Sequence, residues 1–424
     1  MQDRITPPET FDIEHFMLKK PAILNLDNGI PFFQFYNETL DLIHIHIQIK
    51  GGSLYESKKM VSSTYFNLLK ESHFSKSASE IDEILDFYGA SWNVSTNLEY
   101  STIQWIIPKS NLQVLIPILM DLLINPVFKN DNLKRYKERK IKDLEYNELK
   151  YNYRATQLMF HTFFKENTPT ATILNKDHIL ALSVSDLQHF HKQFMNASNI
   201  SLYVAGNMDY DIENLLKTSF EKMEMGNSNS FMSELKNHFT PSFVVEEQNE
   251  PLQSSIILCK KGISYLDDDR RTFSVLSTIL GGYFGSRLMQ NLREKNGYTY
   301  GVHCGSIYLN NDSIFYLESE VTVDKTKEAV EQCFIEMDRL KTEEVSELEL
   351  KTVRRYLQGM LLRDIDGVVS FMKKYSFWNH FGLDENEIET TLQTINHINN
   401  ELLIKNAKKH LQNEDFYTII VGKF

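Results

Sequence analysis

Arg293 and Tyr300, seven positions apart in the stretch LGGYFGSRLMQNLREKNGYTYG (residues 280–301), pair two side chains that suit work on a carbonyl group. A guanidinium grips an oxygen through two parallel N–H donors, and a phenol donates to an oxygen that gains negative charge. Their placement follows from the elements around them. Gly281 and Gly282 open the stretch, Leu288, Met289 and Leu292 give it a helical apolar period, and Asn296-Gly297 turns the chain before an aromatic strand start at Tyr298 and Tyr300. Arg293 then falls at the negative end of a helix dipole and Tyr300 just past the turn, so both can face one groove. The plain alternative is a helix-end arginine and a packed strand tyrosine.

The other chemistry-bearing types do not cluster. His44 and His46 lie on one face of the alternating segment LIHIHIQI (residues 42–49), opposite Ile43, Ile45, Ile47 and Ile49. Two such histidines can share a metal only with further ligands, and none is identifiable nearby, so a solvated or helix-covered strand face is the expectation. Cys259, Cys304 and Cys333 are odd in number and widely spaced, which argues for buried reduced thiols rather than a disulfide framework or a thiolate zinc site. A net charge of −12 without a basic, aromatic-interleaved run speaks against nucleic-acid binding. No segment approaches the ~18 uninterrupted apolar residues of a membrane span, and the first residues have no apolar core, so a cytoplasmic protein is expected.

At 424 residues the chain exceeds one ordinary core, since domains cluster near ~100 to 200 residues. In order, it offers an extended arm over residues 1–22 and a hairpin turned by Asp27-Asn28-Gly29, followed by the strand 42–49. Helices come next over 61–70 and 79–88, the second introduced by a Ser77-x-x-Glu80 capping box. Residues 89–107 read as two strands or one bent one. Helices follow over 112–124, 130–149, 155–164 and 187–195, then a strand over 200–205 closed by Gly206. Residues 225–240 are polar and rich in Gly, Asn and Ser, which marks a linker between units at 1–224 and 241–424. The second unit repeats the order of the first. HFHKQFMNASNISLYVAG (189–206) is matched by AKKHLQNEDFYTIIVG (407–422), and from opening to closing glycine the halves span 155 and 160 residues.

A duplicated unit of this kind, with Gly51-Gly52, Gly89-Ala90-x-x-Asn93, Val204-x-Gly206 and the 280–301 block in this order, resembles the pitrilysin or insulinase family of zinc peptidases along nearly the whole chain. The resemblance implies an α+β fold of two homologous lobes, each a mainly antiparallel sheet with helices on one face. It also implies an inverted zinc motif H-x-x-E-H on the first helix after the glycine pair. This chain has Thr64, Asn67 and Leu68 at those positions; Glu145, with 76 residues between it and Leu68, stands at the third-ligand position. One carboxylate cannot hold zinc, so no metal is expected on this chain. Arg293 and Tyr300 match the family's substrate-positioning pair, which acts in trans in its heterodimers, and Trp92, Asn93, Val94, Ser95 and Thr96 match its peptide-capturing edge strand. The expectation is a non-catalytic subunit that binds extended or unfolded peptides beside a homologous, zinc-bearing partner. The alternative is a homodimeric peptide-binding or scaffold protein.

Overall fold

The computed structural model describes residues 13–16, 18–227, 233–236 and 239–424. Eleven strands among them form two sheets. The first contains β1 (Ala22–Asn25), β2 (Pro31–Tyr36), β3 (Leu42–Ile49), β4 (Ser91–Thr96), β5 (Ser101–Pro108) and β6 (Ile200–Gly206) in the order β1-β2-β6-β3-β5-β4. The second contains β7 (Phe243–Glu247), β8 (Gln253–Lys261), β9 (Thr299–Leu309), β10 (Asp312–Thr322) and β11 (Tyr417–Gly422) in the order β7-β11-β8-β10-β9. Leaving aside β1, the strand orders coincide. In each sheet the first and last strands of the half pair in parallel, β2 with β6 and β7 with β11, while the other pairings are antiparallel. The fold is therefore a duplicated α+β unit.

The glycines that close the two repeats explain one shared detail. Gly206 (φ 145°) and Gly422 (φ 140°) hold backbone that a side chain rarely adopts. A Cβ would sit 2.8 Å from Leu42 O at the first and 2.7 Å from Ser254 Cα at the second. Both end the strand that crosses closest to the start of its antiparallel neighbour.

Each half covers one face of its sheet with its own helices. In the first half Ile43, Ile45, Ile47 and Ile49 pack beneath the helices Val61–Leu69, Leu112–Ile124 and Val184–Phe194. In the second, Ile256, Leu258 and Phe315 pack beneath Arg270–Ser277, Thr326–Thr342 and Asn400–His410. The opposite faces are covered by exchange. The helix Tyr151–Phe163 leaves the first half and packs on β8 and β11, where Leu158, Met159 and Phe163 meet Ile257, Tyr417 and Ile419. The helix Gly367–His380 leaves the second half and packs on β2, β6 and β3, where Phe371, Tyr375 and Trp378 meet Phe33, Phe35 and Tyr203. Tyr203 OH donates to Asn379 Oδ1 at 2.8 Å across this seam.

His46 thus faces a helix, with His44 half-buried on the same face. His46 is 5% exposed, its Nε2 lies 3.3 Å from Ser376 Oγ, and burial together with the nearby Lys373 charge holds its imidazole down to about 4. The three cysteines are free and buried. The polar stretch 225–240 is described in part only, residues 228–232 and 237–238 lying outside the described residues. Its described portion is pinned rather than loose, since Leu235 bridges to Phe164 and Ser233 N donates to Leu54 O at 2.9 Å. Among the described residues, no helix is long and apolar enough to cross a membrane.

Two measurements test this account. Trp378→Ala should cost about 3–5 kcal/mol, the scale for emptying a large buried aromatic site. Hydrogen exchange should then show lost protection in β2, β3 and β6 of the other half; protection lost only around Trp378 itself would contradict the exchange. For His46 the folded value lies below the ordinary 6.5, so the unfolded chain takes up the proton first as pH falls. The contribution is present above pH ~6.5 and is lost towards pH ~4, at up to about 1.4 kcal/mol per pH unit. Denaturant titrations of wild type and His46→Gln should show the wild type losing stability relative to the variant over that window. Other titrating groups, His44 among them, are common to both proteins and cancel in the difference.

Candidate functional site

The helix Val61–Leu69 carries Thr64, Asn67 and Leu68, and it is firmly built. Met60, its N-cap residue, has a left-handed backbone (φ 71°) and no capping side chain of its own. Glu56 replaces it, accepting from Met60 N at 2.9 Å and Ser62 N at 3.1 Å, and burial raises this carboxyl above the usual range. On that helix Thr64 and Leu68 point into the core, at 0% and 2% exposure, whereas Asn67 faces out and donates to Ser63 O. The Thr64 hydroxyl and the Tyr136 hydroxyl from the helix Asn130–Glu148 are both buried and face each other. Glu145 is exposed on that second helix. A buried hydroxyl, a leucine and an outward-facing amide do not make a zinc donor set. Among the described residues, no group of three or more His, Cys, Asp or Glu side chains could hold a metal ion.

β4, which holds Trp92 to Thr96, is the last strand of the first sheet and packs beside the Val61 helix. Its outer N–H and C=O groups have no strand partner in the sheet, and Asn93 and Ser95 are exposed. Trp92 leans on Trp105 of β5, with ring centroids 5.6 Å apart.

The second lobe places Arg293 and Tyr300 at the equivalent edge. β9 ends its sheet and packs against two π-helical segments, Thr278–Gly282 and Met289–Lys295, the latter carrying Arg293. The expected helix end is thus a run of i→i+5 turns, a geometry found disproportionately at functional sites. Asn296-Gly297 stops it as read, with Gly297 at φ 65° donating to Arg293 O.

Tyr300 stands at a β-bulge. Thr299 pairs with Val321 and Val302 with Ser319, so Tyr300 and Gly301 together oppose the single residue Glu320. Two hydroxyls clasp the bulge: Thr299 Oγ1 accepts from Gly301 N at 3.0 Å and lies 2.6 Å from Glu320 O, while Ser319 Oγ donates to Gly301 O at 2.8 Å. Bulges of this kind re-aim a side chain, and Tyr300 is left 89% exposed. The Arg293 side chain is 36% exposed and its ion pair is with its chain neighbour Glu294, at 3.6 Å. The packed-tyrosine alternative fails for Tyr300.

The two lobes also meet around a cavity of about 430 Å³ lined by Thr96 to Tyr100, Ile307, Tyr308, Phe377, His380 and Phe381. Buried Glu99 anchors it, accepting from Asn310 N at 2.8 Å and meeting His380 Nε2 at 2.7 Å. Arg293 and Tyr300 do not line it. The Glu99–His380 link was invisible in the sequence, because 281 positions separate its partners.

Comparison with known proteins gives the family. Residues 36–177 match the profile described as "Insulinase (Peptidase family M16)", and residues 181–357 that of the "Peptidase M16 inactive domain". The chain belongs to the insulinase family. An "Uncharacterized zinc protease" of Rickettsia felis is 24% identical over 80% of this chain and 82% of its own length. A "Non-peptidase homolog YmxG" of Helicobacter pylori is 23% identical over 93% of this chain and 92% of its own. The solved structure of a peptidase M16 inactive domain from Pseudomonas fluorescens matches with a TM-score of 0.88 at 18% identity, covering 96% of this chain and 98% of that one. Within the insulinase family this chain is a member without the H-x-x-E-H motif.

If the hydroxyl clasp aims Tyr300, Thr299→Val with Ser319→Ala should release it. Exposed tyrosine fluorescence anisotropy, isolated by difference against Tyr300→Phe, should fall while the melting temperature moves by only a few degrees. Unchanged anisotropy would show that the bulge stands without the clasp.

Proposed function

We propose that this chain is a non-catalytic subunit of a pitrilysin-type zinc metallopeptidase, giving peptide binding and transition-state stabilisation to a homologous partner that carries H-x-x-E-H and the zinc. The observation that carries this reading is the contrast between the two lobes' edges. On the first, Thr64 and Leu68 are core; on the second, Tyr300 is turned into solvent and Arg293, among the described residues, makes no ion pair beyond its chain neighbour. In this reading residues 1–224 and 241–424 are the lobes, with 225–240 between them.

The chemistry is modest and specific. Arg293 would hold a backbone carbonyl of the peptide through paired N–H groups, and the Tyr300 hydroxyl would donate to the oxygen that becomes negative during attack. The edge of β4 would capture the extended peptide by strand addition, its backbone groups supplying affinity without regard to sequence. The unpaired edge equally supports the second reading, a homodimeric peptide-binding or scaffold protein with no catalytic role.

Reconstitution separates the two. Mixed with a homologue bearing H-x-x-E-H from the same genome, the chain should form a pair with chelator-sensitive peptidase activity that neither subunit has alone. Arg293→Ala and Tyr300→Phe should each lower turnover by ~10²-fold or more, the scale for losing one oxyanion donor. Stability should shift by under ~0.5 kcal/mol, as for exposed positions. Full activity in both variants would overturn the proposal, and so would one stoichiometric zinc with peptidase activity in the isolated chain. Peptide binding by a homodimer that forms no active pair would establish the scaffold reading instead.

A further inference from the structure

We infer that Phe284 is a positioning residue, a seat that holds the Arg293 guanidinium in place while leaving its N–H groups free for a peptide. This rests on the reading that Arg293 binds substrate.

Two arginines on neighbouring turns are treated differently. Arg287 is gripped at both ends of its fork by Glu349, Nε to Oε1 at 3.0 Å and Nη2 to Oε2 at 3.1 Å, and its side chain is 12% exposed. Such a pair is a structural tie that occupies the fork. Arg293 instead stands with its guanidinium carbon 4.7 Å from the centre of the Phe284 ring. The face of an aromatic ring attracts a cation through its quadrupole and takes none of its hydrogen-bond donors. The guanidinium therefore keeps its charge and its two Nη groups, with only Nε near a carboxylate, 3.6 Å from Glu294 Oε1, and the freedom it would lose on gripping a carbonyl is partly lost already.

Phe284 is placed for this. It is 63% exposed, and so forgoes the burial that normally justifies a phenylalanine. Its position is nevertheless fixed from both sides. Ser286, fully buried, donates through its backbone N–H to Tyr283 O at 3.1 Å, closing a tight turn with Phe284 near its tip. Tyr283 packs on Tyr356 with ring centroids 5.1 Å apart, and a Cβ at Gly285 would come within 2.7 Å of the Tyr283 ring. A hinge of that kind presents a ring without letting it wander.

The test has one arm that needs no catalysis. In protein labelled with ¹⁵N-arginine, the Arg293 Nε–H signal, identified by its absence from Arg293→Lys, should be displaced upfield by the Phe284 ring current. Phe284→Leu should return it to the ordinary range, and Phe284→Tyr should keep it displaced. A signal that does not move in Phe284→Leu overturns the proposal. The second arm uses the reconstituted pair: Phe284→Leu should raise KM about two- to fivefold, the effect of losing an exposed cation–π contact, with kcat little changed and Phe284→Tyr near wild type. A displaced signal with KM unmoved by Phe284→Leu would leave a contact without a positioning role, which also overturns the inference. If Arg293→Ala itself leaves activity unchanged, the functional reading has failed, and the signal arm identifies that outcome separately.

Discussion

The constraint on which the rest depends is that each half of the chain builds a sheet with two apolar faces and enough helices of its own for one of them. Phe33, Phe35 and Tyr203 on one side, and Ile257, Ile419 and Tyr417 on the other, are covered by a helix from the opposite half. Each large side chain buried this way contributes about 1.5–3 kcal/mol, and the contribution vanishes if the halves part. The exchange makes the halves interdependent and fixes the two outer edges, β4 and β9, relative to one another. Glu99 reinforces the same seam from the β4–β5 turn, since it holds both the β9–β10 turn through Asn310 and the exchanged helix through His380.

With the frame fixed, the two edges differ. The edge of the first lobe is locally regular. Its Val61 helix is an ordinary α-helix with Thr64 and Leu68 in the core, and β4 runs in unbroken register on β5 from Ser91↔Ile106 to Thr96↔Ser101. The second lobe keeps two π-helical segments and a bulge, each less favourable locally than the regular structure it interrupts. These irregularities coincide with Arg293 and Tyr300. The regular edge is the one with Thr64 and Leu68 in its core, and the irregular one carries Arg293 and Tyr300.

Much of the frame was legible because its signals are local. The Asn28-Gly29 turn, the alternation of residues 42–49, the Ser77–Glu80 capping box and the glycines at 206 and 422 each act through backbone a few residues away, and each falls where the pattern places it. The helix exchange was not legible, because an amphipathic period shows that a face is apolar without saying which sheet will cover it. The helix Tyr151–Phe163 reads the same whether it packs on its own half or the other. The i→i+5 turns were hidden for a related reason: over seven residues their period is too close to the α-helical one to separate. Phe284 and Arg293, nine positions apart, fit no standard helical neighbour rule and meet only because the chain turns at Tyr283–Ser286.

The four sheet edges carry a last distinction. An exposed strand edge invites unwanted pairing, and proteins blunt it with proline, charge, shortness or a bulge. β1 is four residues long and follows Lys19, Lys20 and Pro21; β7 follows Pro241 and ends in Glu246 and Glu247. β9 carries the bulge at Tyr300. β4, SWNVST, has none of these: no charge, no proline and no break in register. Three edges are thus protected against a stray strand, and β4, beside the helix Val61–Leu69, is not. Core packing does not require that asymmetry, since Trp92 and Val94 would pack as well on a strand whose exposed Asn93 and Ser95 had become lysines. A strand that is left able to accept another backbone is what the proposed peptide-binding role predicts.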